Sequence, residues 1–203
     1  MIAGINPCSF VDYPGILSIV VYTQGCNMRC TYCHNHQLTN LNTSKRIGLD
    51  GLYAELAKTT LEALVVTGGE PTLHDTRPIF ELAQAMGIKR CKLDTNGTNL
   101  CKVKALVEGG YLNYVAVDIK SAFPLPLQTL EYLQEVGIPC EARTTIDGKL
   151  HNAADLQVMG NAIKRTGLRH WYLQQANSTS KFNATMFPTN TLPMIPGLEI
   201  VLR

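Results

Sequence analysis

Three cysteines within eight residues are the part of this sequence best suited to chemistry. They are Cys26, Cys30 and Cys33, in a C-x3-C-x2-C arrangement. Thiolates this close together favour one shared metal centre, and a 4Fe-4S cluster held by only three of them keeps one iron open for a substrate. Zinc is the alternative, with His34 or His36 as fourth ligand, although structural zinc sites prefer paired C-x2-C spacing.

Polar or glycine-rich clusters follow six apolar runs that are typical of buried strands. The runs are Leu17–Thr23, Leu64–Thr67, Cys91–Thr95, Tyr114–Asp118, Cys140–Thr145 and Trp171–Gln174. The clusters are Gly25-Cys26, Gly68–Pro71, Asp94–Gly97, Asp118–Lys120, Arg143–Thr145 and Gln174-Gln175. Because active sites of parallel βα folds lie at the carboxyl ends of the strands, we expect these clusters to converge on one face.

Helical patterns separate these runs and indicate the fold class. They cover Asp50–Lys58, Asp75–Met86, Asn99–Glu108, Leu127–Val136 and Asn152–Thr166. Asp75 is the expected N-cap of the second helix, and Gly87 is its expected stop. The βα repeat predicts an α/β fold, a partial (β/α)6 barrel of parallel strands with the active site at their C-terminal ends. The pattern alone leaves a doubly wound sheet open.

Composition predicts one globular domain over residues 1–203. The chain is 45% hydrophobic and carries a net charge of +2, values that are ordinary for a soluble protein. We expect a core over about residues 15–175, then an irregular tail over residues 176–203 with a last short strand at Leu198–Leu202. No long basic run, apolar span or secretory signal is visible, which predicts a cytoplasmic protein without nucleic-acid or membrane partners.

The cysteine motif followed by Gly68-Gly69-Glu70-Pro71 resembles the radical S-adenosylmethionine superfamily. The resemblance implies one 4Fe-4S cluster whose open iron is chelated by the amino and carboxylate groups of S-adenosylmethionine. It also implies that Gly68, Gly69 and Glu70 cradle the methionine amino group, and that Tyr32 contacts the adenine through its backbone. In that family one electron cleaves the sulfonium to methionine and a 5′-deoxyadenosyl radical. No side chain need act as acid or base.

A longer series of motifs resembles the activating enzymes of glycyl radical enzymes. The motifs are Ser9–Gly15, Gln24–Asn27, Tyr32–Asn35, Leu93–Gly97 and Asp118–Lys120. Asp94, Thr95 and Asp118 match positions that hold a monovalent cation beside the cofactor carboxylate in formate-lyase-type activases. Lys120 matches a residue that meets this carboxylate. The resemblance therefore implies a glycyl radical enzyme as protein substrate, and flavodoxin or ferredoxin as electron donor.

Two further stretches resemble the activator of anaerobic ribonucleoside-triphosphate reductase. They are Glu141–Thr145, whose Arg143 we expect to bind the cofactor, and Tyr172–Gln175. Gln174 and Gln175 stand where formate-lyase-type activases tend to carry a histidine, so the role of that histidine is not transferred. The family also leads us to expect Asp12 and Gly15 near the bound glycyl loop. Without an extra cysteine-rich insertion, one cluster is expected.

Three alternatives to this activator remain open. The chain could activate a glycyl radical enzyme of the formate-lyase type. It could instead act on a small molecule, as in the pterin-to-deazapurine ring contraction. A zinc-binding interaction module would use the cysteines without catalysis, but it has no need of Gly68–Pro71 or Asp118–Lys120.

Overall fold

The computed structural model of the protein describes residues 1–40, 46–122, 125–176 and 185–203. The chain forms two compact units. The first contains Met1–Arg29, Asn35–Thr95 and Asn99–Val115, and the second contains Cys30–His34, Asn96–Thr98 and Ala116–Arg203. The single domain expected over residues 1–203 stays a prediction. Within the described residues, no helix combines the length and apolar character needed to cross a bilayer.

The first unit is built on a mainly parallel sheet. Its strands are β1 (Ile2–Tyr13), β2 (Ile16–Thr23), β3 (Ala63–Gly68) and β4 (Arg90–Thr95), hydrogen-bonded in this order. Strands β2, β3 and β4 are parallel, with Val20 opposite Val65 and Val65 opposite Lys92. The run Ile19–Val21 is fully buried, as expected for strands covered on both faces.

Strand β1 was not predicted. It pairs with β2 in antiparallel fashion, with Tyr13 opposite Ile16, and its register shifts at several points. Pro7 and Gly4 lie inside it, and these residues are tolerated in edge strands although they weaken the local strand signal. Gly15 closes the tight turn between β1 and β2 with a φ of 69°.

Three helices of the first unit follow the predicted pattern. They are α1 (Leu49–Leu56), α2 (Arg77–Ala85) and α3 (Leu100–Glu108). The prediction that Asp75 caps α2 was wrong by one residue, because Thr76 occupies the N-cap position. The Asp75 carboxylate instead pairs with the Arg77 guanidinium at 2.6 Å. Gly87 ends α2 with a φ of 89°, as predicted.

Strand β5 (Tyr114–Asp118) begins in the first unit, and its last three residues belong to the second. The second unit adds β6 (Cys140–Ile146), β7 (His170–Gln175), β8 (Glu199–Leu202), α4 (Leu127–Glu135) and α5 (Ala153–Arg165). Strands β6, β7 and β8 are parallel neighbours, and β8 confirms the last short strand of the tail. The predicted α/β fold class with parallel strands is confirmed.

Side-chain hydrogen bonds fix two parts of the second unit. Asn152 and Asp155 form a reciprocal capping box at the start of α5, with distances of 3.1 and 2.9 Å. On β7, the indole of the fully buried Trp171 donates to the Thr144 hydroxyl at 3.0 Å. The indole nitrogen of Trp171 is thus satisfied inside an otherwise apolar core.

Candidate functional site

In the first unit, Cys26 lies in a loop that follows β2 and is anchored by backbone hydrogen bonds. The Cys26 amide donates to Thr39 O at 3.2 Å, and the Gly25 amide donates to Leu38 O at 2.6 Å. The Met28 amide points at the Cys26 sulfur at 3.3 Å. An amide donor favours the thiolate form of cysteine, which is the form that binds metals.

Cys30 and Cys33 belong to the second unit, together with Tyr32. The Cys33 amide donates to Cys30 O at 3.2 Å and closes a tight turn. Burial raises the pKa of the Cys30 thiol, while the nearby Lys120 ammonium opposes this rise. Burial likewise raises the pKa of Tyr32, which is 5% exposed. Lys120 therefore places a positive charge near the Cys30 thiol.

The chemistry of the three thiols fits a metal cluster. None of the seven cysteines, all within the described residues, forms a disulfide bond, and Cys26, Cys30 and Cys33 are partly buried. In the described part of the chain, no three His, Cys, Asp or Glu side chains are already grouped to hold a metal ion. Among these residues, neither the three cysteines nor His34 and His36 form a preformed metal site. Metal binding commonly gathers its own ligands, so thiols that are not grouped beforehand can still bind a metal.

Gly68 and Gly69 allow the end of β3 to lie directly against the end of β2. Gly68 has a φ of 120°, and a Cβ there would lie 2.3 Å from the Thr23 nitrogen. A Cβ on Gly69 would lie 2.0 Å from the Gly25 carbonyl oxygen. The Glu70 amide donates to that oxygen at 2.7 Å. The two predicted glycines thus fix the backbone next to Cys26.

The structure brings Glu70 and Thr95 into contact, and their roles in cofactor binding stay predictions. Glu70 is 1% exposed, and its Oε1 accepts the Thr95 hydroxyl at 2.7 Å. The same oxygen accepts the Thr72 amide at 3.0 Å and the Thr72 hydroxyl at 2.6 Å. Three donors on one oxygen hold the buried carboxylate in a single orientation.

Asp94 forms an ion pair that sequence reasoning missed. Its Oδ1 lies 2.9 Å from Lys92 Nζ, and the two side chains are 7% and 2% exposed. Lys92 Nζ also donates to the backbone carbonyl of Asp12. The only signal in the sequence was a lysine between the apolar residues Cys91 and Leu93.

The second unit brings Asp118, Lys120 and Arg143 together. Asp118 lies 3.2 Å from Lys120 Nζ and 3.0 Å from Arg143 Nε. Burial alone would raise the pKa of Asp118, but Arg143 and then Lys120 outweigh it and lower this pKa to about 2. Burial would lower the pKa of Lys120, but Asp118, Tyr32 and Cys30 raise it. These charges form a network that keeps Asp118 ionised and Lys120 protonated.

Gln175 contacts the chain's own tail. Its Nε2 donates to Phe187 O at 2.8 Å, and its Oε1 accepts the Phe187 amide at 3.1 Å. Both the donor and the acceptor of the Gln175 side-chain amide are thus hydrogen-bonded to the backbone of Phe187. Gln175 holds the described part of the tail next to β7 in the second unit.

Comparison with known proteins identifies the family and several relatives. The family model described as Radical SAM superfamily matches residues 20–150, more than half of the 203-residue chain. A Methanocaldococcus jannaschii protein named as a glycyl-radical enzyme activating enzyme is 27% identical over 183 residues, covering 81% of this chain and 75% of that protein. The pyruvate formate-lyase 1-activating enzyme of Escherichia coli K12 is 33% identical over 104 residues, 47% of this chain and 42% of the enzyme.

A relative with a different activity is also similar. The 7-carboxy-7-deazaguanine synthase of Hyperthermus butylicus is 34% identical over 87 residues, covering 42% of this chain. The chain matches only 37% of that synthase, so it spans less than half the length of this relative and of the formate-lyase activase.

A solved structure with bound cofactor has the same fold. Streptococcus suis SuiB bound to S-adenosylmethionine superposes with a TM-score of 0.62 over 82% of this chain and 42% of SuiB, at 16% identity. At that identity the likeness concerns the fold alone. It supports the predicted fold class, the partial barrel.

Proposed function

The chain belongs to the radical S-adenosylmethionine superfamily, and from that premise we propose that it activates a glycyl radical enzyme. The family implies a 4Fe-4S cluster and S-adenosylmethionine. In the proposal, Cys26, Cys30 and Cys33 hold the cluster, and a glycine Cα–H of a partner protein is the substrate. Anaerobic ribonucleoside-triphosphate reductase is the proposed partner.

The observation that carries the activase role is the similarity, over 81% of this chain, to the Methanocaldococcus jannaschii protein named as a glycyl-radical enzyme activating enzyme. The packing of Gly69 against Gly25, immediately before Cys26, supports the radical chemistry that both candidate functions share. Only a residue without a side chain fits there, because a Cβ would meet the Gly25 carbonyl at 2.0 Å. The glycine pair that the family uses for S-adenosylmethionine is therefore joined to the loop that begins the cysteine motif. A zinc module would not require that junction.

A cluster held by the three cysteines and S-adenosylmethionine bound beside it would supply one-electron reductive cleavage of the sulfonium. The residues of this chain bind and orient. Glu70, fixed by Thr72 and Thr95, presents a buried carboxylate suited to the methionine ammonium group. Lys120, kept protonated, is suited to the methionine carboxylate. Tyr32 contributes a buried aromatic side chain that excludes water.

Arg143 serves this arrangement through Asp118. Its guanidinium holds the Asp118 carboxylate at 3.0 Å, and Asp118 in turn contacts Lys120 at 3.2 Å. In the proposal Arg143 therefore orients Lys120 as well as adding positive charge for an anionic cofactor group. The electron donor in the proposal is flavodoxin or ferredoxin.

A small-molecule activity is the second candidate. It is favoured by the similarity of 87 residues to the deazaguanine synthase. The two candidates share the cluster and the cofactor, and they differ only in the hydrogen donor. A test must therefore vary the substrate while it holds the radical chemistry constant.

The proposal is tested by anaerobic reconstitution with iron and sulfide, then reduction with S-adenosylmethionine and a candidate partner. We expect 5′-deoxyadenosine together with a glycyl radical signal in electron paramagnetic resonance on the anaerobic reductase. Radical formation on a formate lyase would instead select the other activase type. Turnover of a pterin without any protein radical would select the second candidate.

Cys30→Ala should abolish both products, since a cluster with two remaining thiolates lacks the ligands that hold its irons. Cys8→Ala is the matched control, because Cys8 is exposed and lies outside the motif. It should leave iron content and product formation unchanged. Full activity of Cys30→Ala would contradict the proposed ligand set.

A further inference from the structure

Lys92 is a buried cation in the middle of β4, and neither its burial nor its partners were expected. Its neighbours in the strand, Cys91 and Leu93, are fully buried, and its own side chain is 2% exposed. Lysine is almost never fully buried unless it is paired. The pair with Asp94 at 2.9 Å explains how this position tolerates a charge.

Lys92 also links separate parts of the first unit. Its ammonium group donates to the Asp12 carbonyl near the end of β1. It lies 5.8 Å from the centroid of the Tyr114 ring, at the start of β5, where the aromatic face adds a favourable cation–π contact. The Tyr114 ring packs against Tyr13 with centroids 6.0 Å apart. One ammonium group thus fixes the last residues of β1 relative to Asp94.

The charges around Asp94 and Asp118 do not fit an added alkali cation. In the first unit the buried Lys92 ammonium already pairs with the buried Asp94 carboxylate, and a second cation there would leave uncompensated positive charge in a buried site. In the second unit Asp118 is held by two cations, Lys120 and Arg143. Both carboxylates that the resemblance assigns to a monovalent cation are engaged by the chain itself.

We propose that Lys92 is a positioning residue that stands in for a bound alkali cation at Asp94 and fixes the adjoining Asp12 carbonyl. The chain then binds S-adenosylmethionine and works without Na⁺ or K⁺. The inference rests on the proposed function only in taking Asp94 to lie beside the cofactor. Its test needs neither cluster nor partner.

The first test uses the metal-free wild-type chain of 203 residues. Its melting temperature is compared in KCl, NaCl and tetramethylammonium chloride at equal ionic strength, because the bulky organic cation cannot enter a buried site. We expect the same melting temperature in all three salts. A saturable rise with K⁺ or Na⁺ would overturn the proposal.

The second test removes the ammonium group. Lys92→Met keeps the length of the side chain but leaves Asp94 buried without this cation, which should lower the melting temperature by about 10 °C. Alkali ions should then stabilise the variant in a saturable way, because they can replace the lost charge. If Lys92 were merely structural, its replacement would lower the melting temperature, but alkali ions would not restore it. That result would overturn the proposal.

Two matched variants complete the design. Lys92→Met combined with Asp94→Asn removes both charges, and it should recover most of the melting temperature with no cation response. If Lys92→Met alone does not fold, the double variant provides the test instead. Folding of the double variant without alkali ions would support the proposal, and failure to fold without them would overturn it. Lys89→Met is the control, because Lys89 pairs with Glu62 at 3.0 Å on the exposed surface and should contribute little.

These outcomes are separable from those of the proposed function. Absence of a glycyl radical in the wild type would refute activation while the melting measurements still decide the role of Lys92. With an active enzyme, 5′-deoxyadenosine formation adds a second readout. It should be independent of alkali ions in the wild type.

Discussion

Replacing Gly69 by alanine tests whether the end of β3 must lie against the loop that begins with Gly25. The added Cβ would lie 2.0 Å from the Gly25 oxygen and 2.6 Å from its carbonyl carbon. These are backbone atoms, so no side-chain rotation can relieve the clash. Two hydrogen bonds span the junction, from the Gly69 amide to Thr23 O at 2.9 Å and from the Glu70 amide to Gly25 O at 2.7 Å.

The size of the effect follows from those two bonds. Losing a buried backbone hydrogen bond and leaving its groups unsatisfied costs about 1–3 kcal/mol. Loss of one or both predicts a decrease of roughly 2–4 kcal/mol in the free energy of unfolding, or about 5–15 °C in melting temperature for a chain of this size. Because Gly25 precedes Cys26, iron uptake on reconstitution should fall as well.

Gly4→Ala is the matched control for this substitution. The nearest atom to its Cβ would be Tyr22 Cδ2 at 4.0 Å, an ordinary contact. Both variants remove the same conformational freedom from the unfolded chain, so their difference isolates the clash. Thermal melting by circular dichroism and iron analysis provide the two readouts. Equal melting temperatures and equal iron content in the two variants would refute the reasoning.

Two further substitutions test the polar networks. Thr95→Val removes one of the three donors to Glu70 Oε1, which should lower the free energy of unfolding by about 1–2 kcal/mol in a urea titration, and an unchanged value would contradict the network. Arg143→Gln removes a cation that holds the pKa of Asp118 at about 2, below the ordinary value of 3.8 for an aspartate. A depressed folded-state pKa stabilises the fold above the unfolded pKa, and this contribution is lost as the pH falls through the folded pKa. The variant should therefore melt below the wild type above about pH 4, with the deficit closing near pH 2. A deficit that does not change with pH would count against the ion pair.

Several of the strands that the sequence predicted contain runs of continuous burial. Ile19–Val21 and Val115–Val117 are apolar at every position because both faces of the sheet are covered, and this pattern is local. Strand β1 depends instead on its long-range antiparallel pairing with β2. Its Gly4 and Pro7 weaken the local signal, so only the partner strand identifies it.

In the candidate site, too, some features follow from local sequence and others depend on contacts between distant parts of the chain. Gly69 was predictable as a candidate cofactor contact through its motif, whereas its close approach to the Gly25 backbone is known only from the structure. The ion pair of Lys92 and Asp94 was not predictable, because two charged residues close together on a strand give no sign of how deeply their side chains are buried. The contact between Gln175 and Phe187 depends on where the tail folds back.

The central claim is that the three cysteines hold a cluster with one iron left for S-adenosylmethionine. Mössbauer spectroscopy of the anaerobically reconstituted chain, enriched in ⁵⁷Fe, tests it most directly. The account predicts a 4Fe-4S spectrum in which one iron site shifts when S-adenosylmethionine is added, and no such cluster in Cys30→Ala. A spectrum that the cofactor leaves unchanged, or a colourless chain that retains zinc instead of iron, would contradict it.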